Sequence, residues 1–268
     1  MIQDMKLWSD RIPYNEKDLP CENRIRAYWQ EDGQVHPVVI IYPGGAYHHY
    51  GTTEQLPIAE FYYAHGFHAL IVYYRIDPHR YPAALADAQR AVKLVRYHAK
   101  EWRIDPNRVY TIGFSAGGHL CGCVATLPDV CTVLGDEVDT MSARPNGAML
   151  GYAVISSDSA IGHLGSFEYL LGDRFEELSA DLSLEHRVSA DTCPCFLWHS
   201  MEDDCVPVEN SLRFLAALRA ARISAEGHIF PQGAHGNGLA IGVPGESAWP
   251  ELSLRWLEWL ATGTEEPA

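Results

Sequence analysis

Gly113-Phe114-Ser115-Ala116-Gly117-Gly118 carries the pattern G-x-S-x-G, and its meaning depends on its flanks. Upstream, Arg108 to Phe114 is rich in β-branched and aromatic residues and predicts a strand. Downstream, Ala116 to Thr126 predicts a helix. A serine held in a tight strand-to-helix turn needs neighbours two residues away that lack side chains, because a Cβ there would collide across the turn. Gly113 and Gly117 meet that need. The expected result is a hydroxyl exposed at a helix N-terminus.

Outward from this turn, strands and helices alternate. Asn23 to Gln30, Pro37 to Tyr42 and Phe67 to Arg75 read as strands. Thr53 to Ala64 has helical spacing through Leu56, Ala59, Glu60 and Tyr63, and Pro82 to Trp102 carries the stripe Leu85, Ala88, Val92, Val95 and Ala99 before the turn signal Asp105-Pro106. The later chain predicts strands at Gly147 to Ile155, Cys195 to His199 and Ala225 to Phe230, with helices at Val208 to Ala221 and Trp249 to Ala261. This order implies crossover units: an α/β fold with a mainly parallel central sheet and helices on both faces. Residues 1–268 read as one domain. Ser156 to Thr192 breaks the alternation, with helical fragments at Phe167 to Leu171 and Asp181 to His186, and is expected to form a small cap insertion over the sheet's edge near the active site. Thr262 to Ala268 is expected to fray.

Composition narrows the partners. Against 20 Lys and Arg stand 35 Asp and Glu, a formal charge of −15, which argues against nucleic acid and against an anionic membrane surface. No apolar run approaches the ~20 residues of a membrane span, and Phe67 to Tyr74 is only strand-sized. Met1 to Pro20 mixes charged and apolar residues without a signal-peptide core, so the chain reads as non-secreted and cytoplasmic. The seven cysteines are an odd number. Cys121, Cys123, Cys193 and Cys195 lie in C-x-C pairs, so reduced, buried thiols are expected rather than disulfides or a metal site.

A serine hydroxyl is a poor nucleophile until a base removes its proton, so an acid and a histidine are sought downstream. Trp198-His199-Ser200-Met201-Glu202-Asp203-Asp204-Cys205-Val206-Pro207 places three acids just after a strand, at the sheet end where ligands gather in open α/β folds. Asp203 fits the D-x-x-V-P pattern of such loops; Asp204 is the alternative. Phe230-Pro231-Gln232-Gly233-Ala234-His235-Gly236 follows the last strand and is rich in small residues, which lets it carry His235 over the serine. His199 and His119 are expected to pack, and His48 and His49 could touch substrate. Acyl transfer also needs an oxyanion hole. Pro43-Gly44-Gly45-Ala46-Tyr47 follows a strand, so one donor is assigned to Gly45 or Ala46 and the other to Ala116, the residue after the serine.

These motifs together resemble the α/β-hydrolase superfamily, in particular its acetyl esterase and acetylxylan-esterase-like branch. The resemblance also runs through Tyr74-Arg75, Tyr81-Pro82-Ala83-Ala84-Leu85-Ala86-Asp87-Ala88, Trp102-Arg103-Ile104-Asp105-Pro106 and Val206-Pro207-Val208-Glu209-Asn210-Ser211. It implies a serine esterase acting on short acyl esters, acetyl above all, of sugars such as xylo-oligosaccharides. Ser115 would be the nucleophile, Asp203 the orienting acid and His235 the base, with no metal or organic cofactor. Pro43-Gly44-Gly45-Ala46 departs from the His-Gly-Gly-Gly of many esterases, and Ser200 stands where a glycine is common. An amidase or peptidase of the aryl-formamidase kind, or a binding module that has lost catalysis, are the alternatives.

Overall fold

The computed structural model describes residues 1–9, 11–15, 18–127 and 134–263. Among them, eight strands form one sheet: β1 (Ile2–Lys6), β2 (Arg24–Tyr28), β3 (His36–Tyr42), β4 (His68–Tyr73), β5 (Ile104–Phe114), β6 (Gly147–Gly151), β7 (Cys195–Ser200) and β8 (Ala225–Phe230). Their order is β1-β2-β4-β3-β5-β6-β7-β8. The β1–β2 and β2–β4 pairs are antiparallel and every other pair is parallel. The helices are α1 (Leu56–Ala64), α2 (Ala83–Tyr97), α3 (Ser115–Thr126), α4 (Leu164–Leu171), the single turn α5 (Phe175–Leu178), α6 (Glu209–Ala220) and α7 (Trp249–Thr262).

The strand alternation divides the core in two. Val38, Ile40, Leu70, Val72 and Leu150 face α2, α3 and α6, while Val39, Ile41, Ile71, Ile112 and Met149 face α1 and α7. Each fully buried side chain of this size contributes roughly 1.5–3 kcal/mol. Burial on both faces makes these strands read as continuous apolar runs, as covered parallel strands should. Helices thus lie on both faces of the sheet, as expected.

Several boundaries differ from the sequence reading. Strand β1 is absent from that reading because it is an outer strand whose residues are mostly exposed, with Asp4 paired to Arg26; it has no buried face to produce a pattern. The first helix starts at Leu56, after a 3₁₀ turn at Thr52–Glu54. Helix α2 stops at Tyr97 rather than Trp102, the chain passing through turns to Arg103 in the left-handed region, so β5 begins early at Ile104. Strand β6 ends at Gly151, four residues short of Ile155. The 156–192 segment seats on α3 and α6: the Leu184 amide donates to the Ile155 carbonyl, and Leu184 lies over Gly122. Cys121, Cys193 and Cys195 are buried free thiols and Cys123 is buried, whereas Cys205 is exposed; Cys131 lies outside the described residues. Of the tail expected to fray, Thr262 closes α7 and residues 264–268 lie outside the described residues. Among the described residues no helix is long and apolar enough to cross a membrane.

Candidate active site

Because β3, β5, β6, β7 and β8 run parallel, their C-terminal ends share one edge of the sheet, and the loops that follow them meet there. Ser115 sits at the end of β5 and opens α3 with φ +53°. A Cβ on Gly113 would strike the Gly117 carbonyl, and one on Gly117 would strike the carbonyls of Tyr42 and Pro43. The two glycines therefore let the serine turn close against itself and against the loop after β3.

His235 reaches over the serine from the loop after β8. Its Nε2 lies 2.8 Å from Ser115 Oγ and its Nδ1 2.8 Å from Asp203 Oδ2. Asp203 is the acid that meets His235, and Asp204 is exposed. The other oxygen, Asp203 Oδ1, accepts the amides of Cys205 at 3.0 Å and Val206 at 2.8 Å, which is the physical content of the D-x-x-V-P spacing. Burial pushes the Asp203 carboxyl upward, but hydrogen bonds to His199 and His235, the His235 charge and the Val206 amide outweigh it and hold the group well below the usual carboxylate range. An ionised Asp203 only accepts, so the His235 proton belongs on Nδ1 and Nε2 is left to accept from the serine hydroxyl.

The packing histidines have defined tasks. His199 is fully buried in β7; its Nε2 donates to the Val206 carbonyl at 2.8 Å and lies 3.3 Å from Asp203 Oδ2, while Nδ1 accepts from Ser211 Oγ at 2.8 Å. It braces the acid from behind. His119 in α3 donates from Nε2 to the Leu182 carbonyl at 2.9 Å and accepts the Tyr47 hydroxyl at Nδ1, 2.8 Å away, so it ties the loop after β3 to the 156–192 segment. His48 stacks on Tyr169 of α4 with ring centroids 4.6 Å apart.

The loop after β3 folds tightly. Gly45 has φ +121°, and a Cβ there would run into the His49 carbonyl, so only glycine fits. Ala46 and Tyr47 are also left-handed, at φ +56° and +59°. Among the described residues, no hydrogen bond runs from the Gly45 or Ala46 amide. The Ala116 amide lies in the first turn of α3 and has no intrahelical acceptor. Gly45 and Ala46, with Ser115, Cys205, His163 and His235, line a cleft of about 490 Å³. His163 enters from the 156–192 segment and bonds Ser166 Oγ at 2.9 Å; burial and then the nearby His235 charge hold its imidazole below the ordinary range.

Two residues here were not anticipated. Glu54 is only 3 % exposed. Its Oε2 accepts the Gly44 amide at 2.7 Å and its Oε1 the Tyr152 hydroxyl at 2.8 Å. Tyr152 follows β6, accepts the Gly238 amide at 3.1 Å and packs its ring edge-on to His235 with centroids 4.9 Å apart. Burial raises the Glu54 carboxyl, against the Tyr152 and Gly44 hydrogen bonds and the charges of His235 and His49.

The family model BD-FAE matches residues 27–218. The chain belongs to the BD-FAE family. This BD-FAE chain is 36% identical over 237 residues to endo-1,4-beta-xylanase B of Butyrivibrio fibrisolvens, covering 86% of this chain and 37% of that protein. It is 30% identical over 203 residues to acetylxylan esterase of Xylanibacter ruminicola, covering 74% and 40%. The BD-FAE chain thus spans well under half the length of these two relatives. A solved structure, acetyl ester-xyloside bifunctional hydrolase from Caldicellulosiruptor lactoaceticus, superposes with a TM-score of 0.91 at 38% identity over 97% of this chain and 96% of that one. The architecture of this BD-FAE member is the α/β-hydrolase fold.

Proposed function

We propose that the chain is a serine esterase that removes a short acyl group, acetyl in the first instance, from the hydroxyls of a sugar such as a xylo-oligosaccharide. The observation that carries this reading is the Asp203–His235–Ser115 chain, with 2.8 Å at each link. In the proposed reaction His235 Nε2 takes the Ser115 proton as Oγ attacks the ester carbonyl. The negative oxygen that forms is held by the Ala116 amide and by Gly45 or Ala46, each such donor contributing roughly 3 kcal/mol to the transition state. Asp203 keeps the imidazole in the reactive tautomer and balances its charge once protonated. His235 then returns the proton to the departing sugar oxygen, and water activated by the same nitrogen releases the acid from the acyl-enzyme.

The sugar is supported by the names of two relatives, an acetylxylan esterase and an acetyl ester-xyloside hydrolase. The proposed setting is the cytoplasm, which suits the buried thiol of Cys121, hydrogen-bonded to Thr111. The first test is hydrolysis of 4-nitrophenyl acetate by the wild type and Ser115→Ala. A loss of at least about 10³-fold in kcat is expected; equal rates would sink the reading. Acetate release from acetylated xylose and xylo-oligosaccharides, run beside longer esters and formanilides, identifies the acyl group and separates ester from amide preference.

A further inference from the structure

Resting on the esterase reading, the geometry points to Glu54 as a positioning residue that sets the oxyanion loop and the histidine loop in register with one another. Burying a carboxylate is costly unless strong donors surround it, and here the donors come from two different parts of the site. The Gly44 amide holds Oε2, one residue before the two candidate oxyanion donors Gly45 and Ala46. A Cβ on Gly44 would lie 2.8 Å from Glu54 Oε2 and 2.9 Å from Ser115 Cβ, so this carboxylate and the serine close on the same space, which only glycine leaves open.

On its other side Oε1 holds the Tyr152 hydroxyl, which in turn fixes the Gly238 amide three residues past His235. The adjacent Thr53 adds a direct tie, its Oγ1 donating to the Gly236 carbonyl at 2.9 Å. The turn at Thr52–Glu54 therefore joins, through Thr53 and Glu54, the loop expected to bind the oxyanion and the loop that carries the base. Neither carboxylate oxygen is free to act on an ester, since both are committed to donors. Glu54 acts through the loops it holds. An error on the order of 1 Å in such groups can cost about 10²-fold in rate.

This separates Glu54 from general packing, because the loops act on the transition state more than on the bound ester. Glu54→Leu is expected to lower kcat on 4-nitrophenyl acetate by about 10²-fold with KM within about threefold of wild type. Glu54→Gln should recover kcat to within about tenfold, since its amide oxygen can accept from Gly44 while its nitrogen donates to the Tyr152 oxygen. Circular dichroism melts report whether each variant is folded. If Glu54→Leu does not fold, Tyr152→Phe carries the test: it removes one hydroxyl, and kcat should fall by about tenfold at unchanged KM. Wild-type kcat in a folded Glu54→Leu or in Tyr152→Phe, an effect confined to KM, or a glutamine variant no better than leucine would overturn the inference. Those results, obtained while Ser115→Ala is inactive, leave the esterase reading standing; activity in Ser115→Ala would instead remove the reading itself.

Discussion

Asp203 divides its work between two oxygens, and that division explains why it was legible. One oxygen binds the amides two and three residues ahead, a local arrangement that needs an acid at that spacing before Val206-Pro207. The other is left to face His235. Asp203→Asn should keep the turn but present an N–H toward Nδ1, stabilising the wrong tautomer and lowering kcat by about 10³–10⁴-fold. Asp204→Asn should stay within about twofold; steady-state kinetics in which Asp204→Asn is the crippled variant would move the acid to the neighbouring position. Glu54 left no such trace. Thr53-Glu54 reads locally as the polar start of a helix, and the partners that give the carboxylate its place are 10 and 98 residues away. Ser115, His235 and the glycines were legible because short-range sterics select them, whereas a buried ion held from a distance has no short-range signature.

At the level of elements, the strands buried on both faces were legible throughout, and the outermost strand was not. Packing writes a pattern only where it excludes water, so β1, with Asp4 and Lys6 in the open, looks like any polar terminus. The 156–192 segment shows the converse. Its break from the alternation was evident, but its seat was not, because the contacts that place it are distant in sequence: the Leu182 carbonyl on His119, and Phe167, Leu182 and Leu184 buried in the core shared with α2, α3 and α6. Its helix α4 also bonds the 80–81 turn, through the Tyr81 amide on the Leu170 carbonyl, and it presents Tyr169 beside His48. A half-exposed aromatic next to the cleft offers a face for a sugar ring and little for a nitrophenyl acetate bound at the serine. Tyr169→Ala is accordingly expected to raise KM for acetylated xylotriose by about three- to tenfold while leaving 4-nitrophenyl acetate within about twofold. Equal changes on both substrates would remove Tyr169 from the sugar side of the site.

For the whole molecule, the buried histidines set the dependence of stability on acid. Burial lowers His119 to about 4 against a partial offset from the Leu182 carbonyl, and lowers His68 to about 4 against the Arg103 carbonyl. Between that value and the ordinary 6.5, the unfolded chain binds protons that the folded chain refuses. Stability is thus fully present above about 6.5 and falls as the pH drops toward 4, each histidine accounting for something on the order of 2 kcal/mol. Glu54, raised by burial, works in the opposite sense, being better tolerated folded once it is protonated. Calorimetric melts at constant ionic strength should show a Tm that is level from pH 7 to 8 and descends steadily from 6.5 to 4.5. A Tm that holds or rises over that interval would mean that His119 and His68 are not neutral in the folded protein. The left-handed backbone of Ser115 adds a tension of another kind. A residue with a Cβ is disfavoured there by about 1 kcal/mol or more relative to glycine, so the chain lives with a thermodynamic handicap at a position its proposed chemistry cannot surrender. Ser115→Gly should therefore be at least as hard to melt as the wild type, and selection for durability alone would not keep a serine at this position.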